Sequence, residues 1–474
     1  MKITKSPVHL YASEKGVITL FLQLHGSHRI TNIVKRVEDL KDEEVNGCLE
    51  KVMTDFSGRH RHIEQTFLNH TRIIEDQYGA LSHFSPQKKL LLGAIFTKEY
   101  SIEAAALFNP SIVPHPDQQN LKPGEVRFVM SLRATGEGHI SSIVFHTGLI
   151  DDNGNITLDS VSGYFTRLQK KGDTEYSKEF IRKCAASNPE FNMGIMDILP
   201  DSFSAAKADQ VFKSPESHSS SMIDSIIFIE KVMDTNYELI ASPDMPINEQ
   251  VIFPNAKAER MGMEDVRFVK FDEGGQSCYY ATYTAYDGNH IKTQLIETKD
   301  FKLFKIRSLF GEAISDKGMA LFPEKLNGQY VMISRQGGET INIMYSDDLY
   351  RWENFRVLLE PRFEWELVQA GNCGSPIKTE KGWLLLTHGV GPMRTYVISA
   401  ILLDLHDPSL VIGRLHEPLI EADENEREGY VPNVVYTCGF MLHKDMLIIP
   451  YAVSDSATAF ATIGLNEILN EMKP

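Results

Sequence analysis

Polar and charged residues recur at one phase of a repeated strand pattern. Arg133, Thr284, Arg335, His388 and Tyr451 each close a run of alternating apolar residues, and Asp455 follows the last of them. Loops between these runs add Asn109, the Glu264-Asp265 pair, Lys317, and Glu364 and Glu366 within Phe-Glu-Trp-Glu. Such a set could hold a neutral polyol, which needs many donors and acceptors, and could cleave a glycosidic bond, which needs a proton source and carboxylates. Each residue also has a plainer reading. Asp265 could cap a loop and pair with Arg267, and Arg133 and Arg335 could be ion-pair partners between sheets. His388 could bridge the hub by a hydrogen bond, and Glu366 could be a solvent-facing loop carboxylate. Their shared placement favours a common site.

Five repeated units must position these groups. Arg127–Arg133 with Ile140–Phe145, Tyr279–Thr284 with Ile291–Ile296, Tyr330–Arg335 with Ile341–Tyr345, Trp383–His388 with Tyr396–Leu402, and Met446–Tyr451 with Ala459–Ile463 each read as two strands around a turn. A two-stranded ribbon cannot bury its own face, so the units must stack, and radial closure also removes exposed edges. The expectation is an all-β five-bladed β-propeller, with inner strand ends converging on a polar funnel. A β-sandwich is the alternative, but it leaves the common phase of the polar groups unexplained. Residues 107–474 form the propeller domain, with an insertion at about 159–250 after the first blade that could cover the funnel or contact another subunit. Residues 1–106 form a largely helical N-terminal extension, with helical patterns over 43–78 and 86–95. The His-Arg-His stretch containing His60 and His62 reads as a solvated helix face.

Composition limits the partners. The 474 residues carry a net charge of -16, which repels phosphate backbones, and no basic-aromatic tract offsets it. Nucleic-acid binding is excluded on that ground. No early segment is apolar enough for an export signal or a membrane span, which points to a soluble, cytoplasmic protein. Five widely spaced cysteines without a Cys-x-x-Cys pair suit a reducing compartment and argue against structural zinc or a disulfide framework.

The motifs resemble glycoside hydrolase family 130, the β-mannoside phosphorylases and β-1,2-mannosidases. The resemblance rests on Phe-Asn-Pro at 108–110, Gly-Met-Glu-Asp-Val-Arg at 262–267, Leu-Phe-Pro-Glu-Lys at 321–325, Pro-Ile-Lys-Thr-Glu-Lys-Gly-Trp at 376–383 and Glu-Gly-Tyr-Val-Pro-Asn-Val-Val at 428–435. It implies the five-bladed fold, an inverting mechanism without metal or organic cofactor, and a β-mannosyl disaccharide or oligosaccharide as substrate. Asp265 then matches the general acid, acting through the mannose 3-hydroxyl, with Val266 where the family motif has proline. Asn109, Arg133, Arg335, Tyr451 and Asp455 would hold the sugar.

For a phosphorylase, Lys317 and His388 match two positions of the phosphate cradle, but Gln369 stands where a lysine is expected. That departure favours hydrolysis, with Glu366 first and Glu364 second as the base that activates water; phosphorolysis with inorganic phosphate as co-substrate is the alternative. A carbohydrate-binding propeller without turnover is the non-enzymatic alternative. Homo-oligomer assembly is a further implication of the resemblance.

Overall fold

The computed structural model describes residues 2–172, 174–186, 188–214 and 220–473. Each of the five expected units falls on an antiparallel hairpin: Val126–Thr135 with Ser141–Ile150, Gln276–Tyr286 with Ile291–Thr298, Tyr330–Ser334 with Ile341–Ser346, Gly382–Val390 with Tyr396–Leu403, and Met446–Val453 with Ala457–Gly464. Further strands complete each hairpin into a sheet. Ala106–Pro114 starts the first, Gly262–Glu273 the second, Ala320–Leu321 the third, Gln369–Asn372 the fourth and Val435–Tyr436 the fifth. Pairing of Gly262 with Ser141 joins the first two sheets in one ladder.

Strand alternation feeds two cores at once, because successive side chains point to opposite faces. In Gly382–Val390 every residue is buried. Its Trp383 and Leu385 pack with Val331, Ile333 and Ile343 of the third sheet, whereas Leu384 and Leu386 pack with Leu447, Ile449 and Tyr451 of the fifth. The same division holds elsewhere. Val129 and Phe145 of the first sheet meet Phe268 and Tyr279 of the second, Phe271 and Leu295 of the second meet Met332 and Met344 of the third, and Phe128 and Met130 of the first meet Ile448 and Phe460 of the fifth.

The fold is nevertheless mixed rather than all-β. Helices Ser27–Asp39, Asp42–Phe56, Ile63–Tyr78 and Pro86–Ile95 form the N-terminal region, around a core that includes Ile30, Val37, Ile74 and Leu92. The pattern expected over 43–78 is broken between residues 56 and 63. There His60 is buried with its Nε2 at 2.7 Å from Glu99, so this stretch is not a solvated helix face. The residues before 107 are not all separate from the sheets either: Thr4–Tyr11 pairs with Ala457–Gly464 and forms the outer strand of the fifth sheet.

The insertion carries its own core of Tyr176, Ile181, Phe191, Ile195, Phe203, Phe212 and Ile229. Its strand Tyr237–Ile240 adds to the edge of the second sheet at Leu303–Ser308. Phe180 packs edge-on against Phe310 and Tyr350, and Arg61 ties the N-terminal helices to Glu249 at 2.6 and 2.7 Å. No helix among the described residues is long and apolar enough to cross a membrane.

The strand Thr4–Tyr11 covers an edge that would otherwise expose unpaired backbone groups. Removal of residues 1–11 is expected to lower the thermal midpoint by several degrees, on the order of 2–5 kcal/mol, and to promote aggregation. Thermal unfolding followed with light scattering checks this; an unchanged midpoint would show that the strand adds nothing.

Candidate active site

Residues from all five sheets or the loops beside their strands line one cavity of about 180 Å³. Its walls include Asn109, Arg133, Asp265, Arg267, Lys317, Arg335, His388, Arg394, Tyr396, Tyr436 and Asp455. Two β-bulges aim the central pair. The register slips between Phe108 and Ser111 in the first sheet and between Glu264 and Arg267 in the second, which turns Asn109 and Asp265 out of the ladder. Both stand in the left-handed region at φ 52° and 54°, and Asp455 does so at 49°. Asn and Asp are the non-glycine residues that tolerate this conformation best, so these positions suit the residue types found there.

Asp265 is buried, and Asn109 Nδ2 donates to its Oδ1 at 2.7 Å. Arg133 Nη1 approaches the same oxygen at 3.3 Å, while its Nη2 donates to Glu264 at 2.7 Å and its Nε to Ser141 Oγ at 2.9 Å. Arg267 does not pair with the Asp265 carboxylate; it donates to the Asp265 backbone carbonyl at 2.8 Å and to the Tyr436 hydroxyl at 2.6 Å.

Burial by itself would push the Asp265 carboxyl up, but Arg133, Arg267 and Lys317, with the Asn109 amide, outweigh it and hold the group well below the usual carboxylate range. Asp455 lies on the other side of the balance. Burial and the neighbouring Asp265 charge push it up to about 6, against the pull of Arg133, Arg394 and Lys317. Two carboxyl groups in one cavity are thus driven apart in acidity, as in sites that must keep one charged and one proton-bearing group.

Further cations line the cavity. Arg335 Nε has no protein partner, and neither Lys317 nor Arg394 makes an ion pair among the described residues. Gln369 bridges Arg335 and His388: its amide oxygen accepts from Arg335 Nη1 at 2.5 Å and from His388 Nε2 at 3.0 Å, while its nitrogen donates to the Gly338 carbonyl at 3.1 Å. His388 is buried beside Arg335 and Arg267, and burial followed by those two charges holds it neutral. Gly371 makes room for the ring, since a Cβ there would lie 2.3 Å from His388 Cε1.

Thr284, Glu264 and Gln369 do not line the cavity themselves, although Glu264 and Gln369 bond to lining arginines, and three further expected residues lie away from it. Glu366 is 1% exposed and ion-paired with Arg414, and it accepts from the backbone N–H groups of Arg362 and Phe363 at 2.7 and 2.9 Å. All three bonds fall on Oε1, and Glu366 is not among the residues that line the cavity, so its observed role is a structural ion pair with Arg414. Glu364 is exposed and also outside the walls. Tyr451 is turned outward, donating to Glu426 at 2.7 Å within the fourth-to-fifth-sheet core. Among the described residues the insertion lines no part of the cavity, contrary to the covering role allowed for it.

Residues 216–474 match the model of glycoside hydrolase family 130, described as β-1,4-mannooligosaccharide phosphorylase. A 1,2-β-oligomannan phosphorylase of Thermoanaerobacter sp. (strain X514) is 34% identical over 229 residues, which are 47% of this chain and 75% of that protein. A β-1,2-mannobiose phosphorylase of Listeria innocua is 32% identical over 230 residues, 47% of this chain and 63% of that one. The solved complex of the β-1,2-mannobiose phosphorylase from Listeria innocua with β-1,2-mannobiose aligns with TM-score 0.48 and 24% identity, covering 78% of this chain and 92% of that one. The chain belongs to glycoside hydrolase family 130, and its activity is of the glycosidase and glycoside phosphorylase type.

Two predictions follow from the charges. Breaking the buried Glu366–Arg414 pair with E366A is expected to cost about 3–5 kcal/mol of stability, read as a shift of the denaturant midpoint; a midpoint within error of the parent would contradict the structural role. Asp455 binds its proton more tightly folded than unfolded, so stability is lost as pH rises through about 6. D455N should therefore unfold at a higher temperature than the parent at pH 8, but not at pH 4, in a thermal series across pH. A difference independent of pH would rule out this linkage.

Proposed function

We propose that the protein is an inverting β-mannoside phosphorylase, built as a five-bladed β-propeller over residues 107–474 with Thr4–Tyr11 completing the last blade. The cyclic packing of the five sheets, fifth against first, supports the propeller. The observation that carries the activity is the group of three cations, Lys317, Arg335 and Arg394, that face the Asp265 cavity without carboxylate partners among the described residues. A phosphate dianion calls for such charge-assisted donors. Water would not, and the two glutamates considered for activating it lie elsewhere. The relatives described above as phosphorylases favour the same choice over the hydrolysis suggested by Gln369.

In this reading the mannosyl unit lies between Asn109, Arg133, Asp265 and Asp455. One phosphate oxygen bonds to the anomeric carbon as the bond from that carbon to the glycosidic oxygen breaks on the opposite face. The leaving oxygen takes a proton, and mannose 1-phosphate and a shortened sugar result. Asp265 relays this proton through the mannose 3-hydroxyl, and the hydrogen lost by hydrogen phosphate as its oxygen bonds to the anomeric carbon balances the one the leaving oxygen gains. In the free protein Asp265 is ionised, and the charge of the arriving phosphate offsets Lys317 and Arg267, two of the cations that keep it so. Anion entry thus raises the carboxyl toward the form that can donate.

Purified protein incubated with β-linked manno-disaccharides is expected to release mannose 1-phosphate only when phosphate is present. D265N should lower turnover by about 10³-fold or more, and R335A should raise the KM for phosphate by about tenfold or more. Free mannose formed at the same rate without phosphate would overturn phosphorolysis in favour of hydrolysis.

A further inference from the structure

A second polar cavity, of about 220 Å³, lies between the N-terminal helices and the start of the insertion and shares no lining residue with the Asp265 cavity. The strand Val17–Phe21, the helix Ile63–Tyr78 and residues 165–169 contribute its walls, all of which precede the family-matched segment 216–474. The chemistry proposed above uses none of them.

Among the described residues these walls carry no carboxylate. Two of the wall cations are answered from outside: Arg61 is paired with Glu249 at 2.6 and 2.7 Å, and His60 lies 2.7 Å from Glu99. Arg167 is the one left over. Its Nη2 donates to Asn255 Oδ1 at 2.7 Å and its guanidinium lies over the Phe253 ring at 5.4 Å, but it makes no ion pair among the described residues. Glu259, the carboxylate whose charge reaches it, is already bonded by Tyr237, Tyr283 and the N–H groups of Asn255 and Ala256. A half-buried cation without a counter-ion is costly, and an anion in the cavity would relieve it.

The other wall groups are set for hydroxyls. Thr97 Oγ1 donates its single proton to the Gly93 carbonyl at 2.8 Å, so in its 2.7 Å contact with His70 it must accept, which fixes the His70 proton on Nδ1. Nε2 is thereby an acceptor, with no protein partner among the described residues. Burial and the Arg167 charge keep the ring neutral, pushing it down to about 4. Asn69 accepts through Oδ1 from Gln65 and Arg72 at 3.0 and 3.4 Å, which leaves its amide N–H groups, and the hydroxyls of Thr19, Thr66 and Thr166 make no protein hydrogen bond among the described residues. Phe21 and Phe165 complete the walls.

A phosphate calls for a charge-assisted donor, sugar hydroxyls call for donors and acceptors together, and the C–H faces of a pyranose suit phenyl rings. A bare inorganic anion would leave the His70 acceptor and both rings unused. The volume is below the roughly 300–1,000 Å³ that takes drug-sized ligands, so one ring with one phosphate is the limit. We infer that this cavity binds a monosaccharide monophosphate, with Arg167 on the phosphate and His70 Nε2, Asn69 and the threonines on the hydroxyls. The site involves neither Asp265 nor a reaction, so it does not depend on the phosphorylase reading.

Mannose 6-phosphate, mannose and inorganic phosphate are titrated calorimetrically into the full chain and into R167Q, N69A and R335A. Mannose 6-phosphate should bind, R167Q should weaken that binding by about tenfold or more and N69A by about threefold, and R335A, which alters the Asp265 cavity, should leave it within about twofold. Absence of binding overturns the site, and so does binding that R335A abolishes and R167Q spares, which would put the ligand beside Asp265. Inorganic phosphate binding R335A as tightly as mannose 6-phosphate overturns the sugar part. Hydrogen exchange on the parent needs no variant: mannose 6-phosphate should slow exchange within residues 60–73 and 165–169, and unchanged exchange there with the ligand bound overturns the site even where R167Q fails to fold.

Discussion

None of the five sheets can cover both its faces alone, and everything else in the molecule follows from how that is resolved. Each hydrophobic strand is shared between two cores, as Leu384 and Leu386 on one side and Trp383 and Leu385 on the other show within a single strand. The cavity lies near the ends of several strands from these sheets, and its walls are mostly polar and charged. The requirement also explains why residues from the N-terminus are used to complete the last sheet, since the fifth has to be wide enough to cover the first.

The gathered groups do not balance. Five cations and two carboxylates line a cavity in a protein whose net charge is -16, so the site runs against the sign of the whole molecule. Arg133 is occupied by Asp265 and Glu264, and Arg267 by Tyr436 and a backbone carbonyl. Arg133 and Arg267, with Lys317, still keep Asp265 charged, whereas burial and the Asp265 charge, against the pull of Arg133, Arg394 and Lys317, let Asp455 retain its proton to about 6. In the phosphorylase proposed above, an entering anion would change the acidity of both, which would couple binding of the attacking group to the availability of a proton.

Much of the frame was legible in the sequence because strand alternation and turn residues are local signals. The five hairpins and the convergence of Asn109, Arg133, Asp265, Arg335, His388 and Asp455 belong to this part. Glu366 misled for the opposite reason: its chemical type fits a base, and only the distant Arg414, brought alongside by the fourth sheet, reveals it as a buried structural anion. Arg394, Tyr396 and Tyr436 were missed because they lie in turns or on strand starts outside the repeated phase. A signal for Arg394 existed in the likeness of Gly-Pro-Met-Arg to Gly-Glu-Gly-His, two turns that follow corresponding strands.

Gln369 shows why a missing charge in a motif is a weak guide to chemistry. A neutral amide here joins Arg335 to His388 by accepting from both, while Arg335 Nε is buried without a protein partner. A lysine at the same place would set one cation against another at short range and would need the anion present to relieve it. In the phosphorylase reading, Arg394 on a separate turn would supply the positive charge that Gln369 does not, so the charge of the expected lysine would be moved within the site rather than removed.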